Sequence, residues 1–129
     1  MSSIEVLCLG IITIDTISLV DKYPGEDERV LAKQIIRAGG GPAAVAAVTL
    51  SRLGVSTAIA GTIGEDQDGA EVLRIFAREG VDTSGISIGT NATSGSVIVA
   101  SLESSSRAIS TRQPMQQVAL NSAAKKLIS

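Results

Sequence analysis

The stretch AGGGPAAVAAVTLSRLG, Ala38 to Gly54, decides how the rest of the chain is read. Three glycines and a proline come first, and then an uninterrupted alanine-rich segment runs to Gly54. The pattern predicts a tight loop feeding a buried helix over 42–53. Pro42 suits the first helical turn, where its missing N–H costs nothing. Gly54 suits the position just past the helix end. Consecutive glycines let backbone N–H groups approach a ligand without a Cβ in the way. A helix N-terminus adds unpaired donors and a partial positive charge. The loop can therefore hold a polar or anionic small molecule, or it can simply let the helix pack close to a sheet. The residues alone leave both readings open.

Upstream, Ile4 to Ile14 is a nearly continuous aliphatic run rich in β-branched residues. It reads as one strand buried on both faces, as in a parallel sheet. Gly10 interrupts it, which points to a close backbone approach. The run ends at Asp15, so the carboxylate is expected at the C-terminal end of a buried strand, where open α/β sheets place ligands. A turn residue bonded to its own backbone is the alternative. A shorter extended piece, 16–20, and a moderately strand-like piece, 29–38, flank the charged turn DKYPGEDE at 21–28. Together they predict a hairpin.

Downstream, 55–60 predicts a strand that leads into GTIGEDQDGAEV. Asp66 or Asp68 is expected to cap a helix over 69–78, closed by Gly80. Phe76 falls at core spacing in that helix. The acidic trio Glu65, Asp66 and Asp68 reads as caps and solvated charge rather than a metal site. Residues 81–88 read as a short link, 93–102 and 107–111 as two further strands around the turn ESSS, and 118–127 as a weakly amphipathic helix. The order of elements gives α/β with an appended β element.

Composition narrows the chemistry. The chain has 129 residues, 44% of them hydrophobic, with Tyr23 and Phe76 as its only aromatic side chains. That length suits one domain with an aliphatic core. A net charge of −2 with no basic stripe argues against nucleic acid as a partner. There is no histidine, which removes Ser-His-Asp and Cys-His catalysis and every His-bearing metal site. Cys8 lies in an apolar run and reads as a buried, inert thiol. The N-terminus lacks a basic region before its apolar run, and no run reaches the roughly eighteen residues of a membrane span. A cytoplasmic protein is the expectation. Neither common nucleotide loop is present: Gly39 to Gly41 are contiguous where G-x-G-x-x-G needs spacing, and no Gly-Lys pair exists for a Walker loop.

Three features in this order resemble the PfkB, or ribokinase-type, carbohydrate kinase family: Gly10 followed by Asp15, the stretch AGGGPAAVAAVTLSRLG, and GTIGEDQDG leading into EVLRIFAREGVDTS. In style the chain is similar to the sulfofructose kinase and ketohexokinase side of that family. The resemblance covers about 4–111 and implies a Rossmann-like, ribokinase-type α/β fold, its sheet mostly parallel with flanking helices. It also implies a small β lid from segments of about 16–37 and 94–111. The whole of 1–129 would be a single partial domain.

What the resemblance implies about function follows the same residues. Asp15 matches a carboxylate that grips sugar hydroxyls, and Gly40 and Gly41 match a glycine pair against the sugar. Thr13 falls where some relatives carry a polar sugar contact. Asp66 and Gly69 match a structural turn. Val45 stands where the signature usually has a sugar-binding Asn, and valine cannot make that hydrogen bond. The family's catalytic Asp lies in an Asp-Thr-x-Gly-Ala-Gly-Asp motif that these 129 residues lack, so no catalytic residue is assigned. The ATP segments are missing as well. ATP and Mg²⁺ are implied by the family, and the chain alone is expected to be inactive. Lid strands pair between subunits in several relatives, so a homodimer is expected. A non-catalytic sugar-binding or dimerisation module is the alternative. A parallel sheet cut partway is expected to oligomerise, or to be poorly ordered in its last twenty or so residues if the tail lacks partners.

Overall fold

The apolar run at the N-terminus does not make one strand. The computed structural model, which describes residues 3–112 and 120–128, divides the run between two sheets. β1 is Val6–Leu9, and β2 is Thr13–Val20. Between them the chain crosses over at Gly10, whose N–H donates to the Ala60 carbonyl at 3.1 Å. A Cβ on Gly10 would lie 3.0 Å from that of Ala43, so the crossing fits tightly under the next helix. Ile12 within the crossing and Ile14 beyond it are both buried. Hydrophobicity stays high through the break because both halves feed one core, so an apolar run cannot report where its strand changes sheet.

The first sheet is parallel, in the order β1-β4-β5, with β4 spanning Thr57–Gly64 and β5 Asp82–Gly89. Helix α1, Pro42–Arg52, leads into β4, and α2, Gln67–Glu79, connects β4 to β5. The core is aliphatic as expected: Ile59, Ile63, Val72 and Phe76 meet Ala43, Ala44 and Ala47 of α1. The expected cores of both helices are present, and Gly54 adopts φ 86° just past α1. Asp66, not Asp68, is the N-cap of α2. Burial pushes the half-buried Cys8 thiol up from its ordinary value, in keeping with an unreactive sulfur.

Residues 81–88 are corrected from a link to a strand. β5 carries Asp82, Thr83, Ser84 and Gly85, a poor β sequence. It forms because β4 offers an open parallel edge, and the register slips between Ala58 and Ala60 to accommodate it. Part of the expected 118–127 helix lies outside the described residues. The described portion, α3 at Ser122–Leu127, is capped by Asn121 and buries Ala124 against Gly85 of β5. The described part of the tail therefore has a packing partner in β5.

The second sheet has the order β3-β2-β6-β7, with β3 at Gln34–Gly40, β6 at Ser94–Ser101 and β7 at Ser106–Arg112. β2 and β3 form the expected antiparallel hairpin, β2 and β6 run parallel, and β6 and β7 are antiparallel. The register sorts its side chains onto two faces. One carries the rung Ala38, Asp15, Ser96, Thr111 and the neighbouring rung Ile36, Ile17, Ile98, Ile109. The opposite face carries Arg37, Thr16, Val97 and Ser110. Asp15 is therefore the third residue of a strand in this second sheet, and not the end of a strand in the parallel one.

Candidate functional site

Thr13, Asp15 and Gly40 converge at the base of the second sheet. Thr13 pairs with Gly40 across the β2–β3 hairpin, and Asp15 lies one rung further out on the same face. A Cβ on Gly40 would stand 2.7 Å from Thr13 Oγ1 and closer still to Asp15 Oδ2. No side chain fits there, so a glycine is required for both oxygens to share the spot. Asp15 Oδ1 accepts a hydrogen bond from the Ser96 N–H at 3.1 Å, which fixes the carboxylate across the parallel β2–β6 pair. Thr13 Oγ1 is buried and has no hydrogen-bond partner among the described residues. A buried hydroxyl without a partner is uncommon and calls for an explanation.

Gly41 follows at the turn into α1. Its φ is 95°, and a Cβ there would collide with the Ile11 carbonyl oxygen, so the turn passes directly against the β1–β2 crossing. Gly41 is also the N-cap of α1. It brings no side-chain acceptor, and the first turn holds no acidic residue. Val45 sits one turn into α1 and is 54% exposed, while its neighbour Ala44 is buried. Val45 lines a groove between α1 and α2 beneath β3, walled by Val48, Ile75 and Phe76. Thr13 also borders that groove, but Asp15, Gly40 and Gly41 do not. The structure thus gathers Thr13, Asp15 and Gly40 in one place, and Val45 lines a groove that meets this cluster only at Thr13.

A mostly parallel α/β unit with flanking helices is the fold that the resemblance implied, and a second sheet of four strands lies beside it. The family model for the pfkB family carbohydrate kinases matches residues 3–125. The chain belongs to this family. It is 35% identical over 86 residues to the ketohexokinase of Mus musculus, covering 65% of this chain and 28% of that enzyme. It is 32% identical over 85 residues to the ATP-dependent ribose-1-phosphate kinase of Halopiger xanaduensis, covering 66% of this chain and 29% of that one. Among solved structures, the fructokinase of Xylella fastidiosa with bound ATP superposes with a TM-score of 0.67 at 27% identity, over 84% of this chain and 33% of that chain. The ribokinase of Arabidopsis thaliana complexed with ribose and ATP gives 0.74 at 21% identity, over 86% and 36%, a likeness of fold. The chain spans less than a third of the length of these two curated relatives.

The third quoted motif, GTIGEDQDG, does structural work in this pfkB-family chain. Asp66 Oδ1 accepts from the Gly69 N–H at 2.7 Å and from the Thr93 hydroxyl at 2.7 Å, and Oδ2 accepts from the Thr93 N–H at 2.9 Å. Thr93 Oγ1 in turn accepts from the Gly64 N–H at 2.9 Å. One carboxylate therefore caps α2 and locks Thr93, the fully buried residue at which the chain passes from β5 into β6. Burial pushes the Asp66 carboxyl up. The hydrogen bonds from Thr93 and Gly69 and the charge of Arg112 outweigh that and hold it below the usual carboxylate range. The sequence reading found the cap but not Thr93, because a partner 27 residues away leaves no local signal. Among the described residues no group of three His, Cys, Asp or Glu side chains is placed to hold a metal ion. No helix among the described residues is long and apolar enough to cross a membrane.

Proposed function

We propose that this chain supplies the sugar-binding portion of a carbohydrate kinase cleft, with Asp15, Thr13, Gly40 and Gly41 as its sugar-facing residues. The observation that carries this reading is the buried, unpartnered Thr13 hydroxyl close to the Asp15 carboxylate, both against a glycine whose missing Cβ lets the two oxygens converge. A sugar hydroxyl donating to Asp15 and accepting from Thr13 would satisfy both groups at once, which is the chemistry such a cradle favours. The four-stranded sheet then acts as the lid over the sugar, with the Asp15 face inward. The whole enzyme would pass the γ-phosphoryl of ATP to a sugar hydroxyl in the cytoplasm. This chain's own contribution is to bind and orient the sugar and exclude water. Val45 offers that site no hydrogen bond and contributes apolar surface only.

Calorimetric titration of the chain with D-fructose and D-ribose tests the reading. Binding of either sugar that disappears in Asp15→Ala is the expected outcome. Binding that survives Asp15→Ala overturns the assignment of that carboxylate. The same chain mixed with ATP, Mg²⁺ and sugar is expected to produce no sugar phosphate.

A second reading, a dimerisation module, is favoured by one specific observation. Ile36, Ile17, Ile98 and Ile109 form an apolar row across all four strands, and Ile36 and Ile109 are 42% and 50% exposed. A second copy of this sheet is the partner that such a self-complementary row fits. Sedimentation of Ile109→Ser against the unaltered chain tests it, with loss of a dimer as the expected result.

A further inference from the structure

The two edge strands of the four-stranded sheet are poorly anchored by packing. β7 is exposed along its whole length, and β3 is exposed except at Ala38 and Gly40. Among the described residues, every side-chain hydrogen bond from these strands to α2 runs through Arg37 or Arg112. Both arginines project from the face opposite Asp15, and both reach the same residue. Arg37 Nη2 lies 2.6 Å from Asp68 Oδ1, and Arg112 Nη2 lies 3.4 Å from Asp68 Oδ2. The strands themselves are three strand spacings apart, about 14 Å. Two arginines span such a gap by converging on a common acceptor, and Asp68 in the first turn of α2 is that acceptor.

Each end is reinforced. Arg37 also donates to Glu71 Oε2, at 3.1 Å from Nε and 2.9 Å from Nη2, and to Thr16 Oγ1 at 3.2 Å. The hydrogen bonds to Glu71 and then to Asp68 push its guanidinium above the ordinary value. Arg112 donates to the Thr93 carbonyl at 2.9 Å, so it also holds the residue that Asp66 locks from the other side. We infer that Asp68 is a positioning residue: its two carboxylate oxygens fasten opposite edges of the four-stranded sheet to α2 and so set the tilt of the face that carries Asp15. The functional consequence rests on the sugar-site reading above; the mechanical one does not. Asparagine at 68 keeps the size of the side chain and glutamine at 37 and 112 keeps a polar stem, while both remove the ion pair, so the sheet keeps its ladder but loses its anchor.

Hydrogen exchange read by mass spectrometry on the 129-residue chain tests this. In Asp68→Asn, exchange over 34–40 and 106–112 is expected to rise about five-fold, the scale of one exposed ion-pair network, while 57–64 in β4 is unchanged. The double variant Arg37→Gln/Arg112→Gln leaves the charge at the α2 N-terminus intact and is expected to loosen the same two segments. Raising salt should loosen them in the unaltered chain, loosen 34–40 less in Asp68→Asn, where only the Arg37–Glu71 pair remains, and have no further effect in the double variant, a response that loss of packing would not produce. Unchanged exchange in both variants overturns the proposal, as does an equal rise in β4, which would mean general destabilisation. Titration with D-fructose reads the consequence separately. Several-fold weaker binding in Asp68→Asn is expected. Absence of binding to the unaltered chain would count against the sugar-site reading, and the exchange comparison alone would then decide on Asp68.

Discussion

The two sheets solve the same problem by different means. In the parallel sheet, seven of the eight residues of β4 are buried, and its strength is aliphatic packing against α1 and α2. In the four-stranded sheet, β7 has no buried residue, and its attachment is a hydrogen-bond ladder plus a few charged side chains. Packing is insensitive to salt and costly to disturb; ladders and exposed ion pairs are weak and adjustable. The contrast teaches where stability and motion reside. The parallel sheet is the packed frame, and the second sheet is held mainly by its ladder and its charged side chains, the kind of attachment that opens at small cost.

The largest effect should come from the frame. Ile59 is fully buried in β4, and Ile59→Ala should cost about 3 kcal/mol or more by transfer and cavity terms, read as a lower urea midpoint. A cost under about 1 kcal/mol would mean that the frame is not held by packing, and the contrast would fail.

Next comes the junction between the sheets. Asp66→Ala removes the α2 cap and both bonds to Thr93, and should cost about 2 kcal/mol. Its pH dependence has a definite sign. The folded pKa is depressed, so the contribution of Asp66 is complete above its unfolded value, near 3.9, and is lost as pH falls through the lower folded value. Thermal melting from pH 7 down to pH 3 should therefore show a flatter acid limb in Asp66→Asn than in the unaltered chain. Parallel acid limbs would remove Asp66 from the account.

Gly40→Ala tests the site itself. The new methyl would press on Thr13 Oγ1 and the Asp15 carboxylate. Stability should fall by about 1 kcal/mol as the hairpin shifts, while D-fructose affinity should fall more than about ten-fold, the equivalent of 1.4 kcal/mol or more. Equal, small losses in both would return the glycine to a packing role. The smallest effect belongs to the outer sheet: Ile109→Ser should change unfolding stability by no more than about 0.5 kcal/mol while abolishing any dimer. A cost comparable to that of Ile59→Ala would erase the difference between the two sheets.

Much of this was legible from local sequence. Pro42, the alanine run and Gly54 marked α1; Asp66 and Gly80 bracketed α2; Phe76 declared itself as core. The hairpin before the glycine loop was visible in its charged turn. The candidate site was half legible. Asp15, Gly40 and Thr13 were named, but Asp15 was placed in the wrong sheet, and Ser96, which orients it, gave no signal from 81 residues away.

Sequence by itself determined the elements whose causes lie within a few residues: caps, helix faces, the glycine turn and family membership. Tertiary structure alone decided the break at Gly10, because burial on both sides of the crossing hides the change of sheet. It made a strand of the polar segment 82–89, because an open edge of β4 supplied the hydrogen bonds that composition did not promise. It also turned Asp68 from a solvated charge into the meeting point of Arg37 and Arg112, because an ion pair depends on where strands end in space and not on how residues are spaced along the chain.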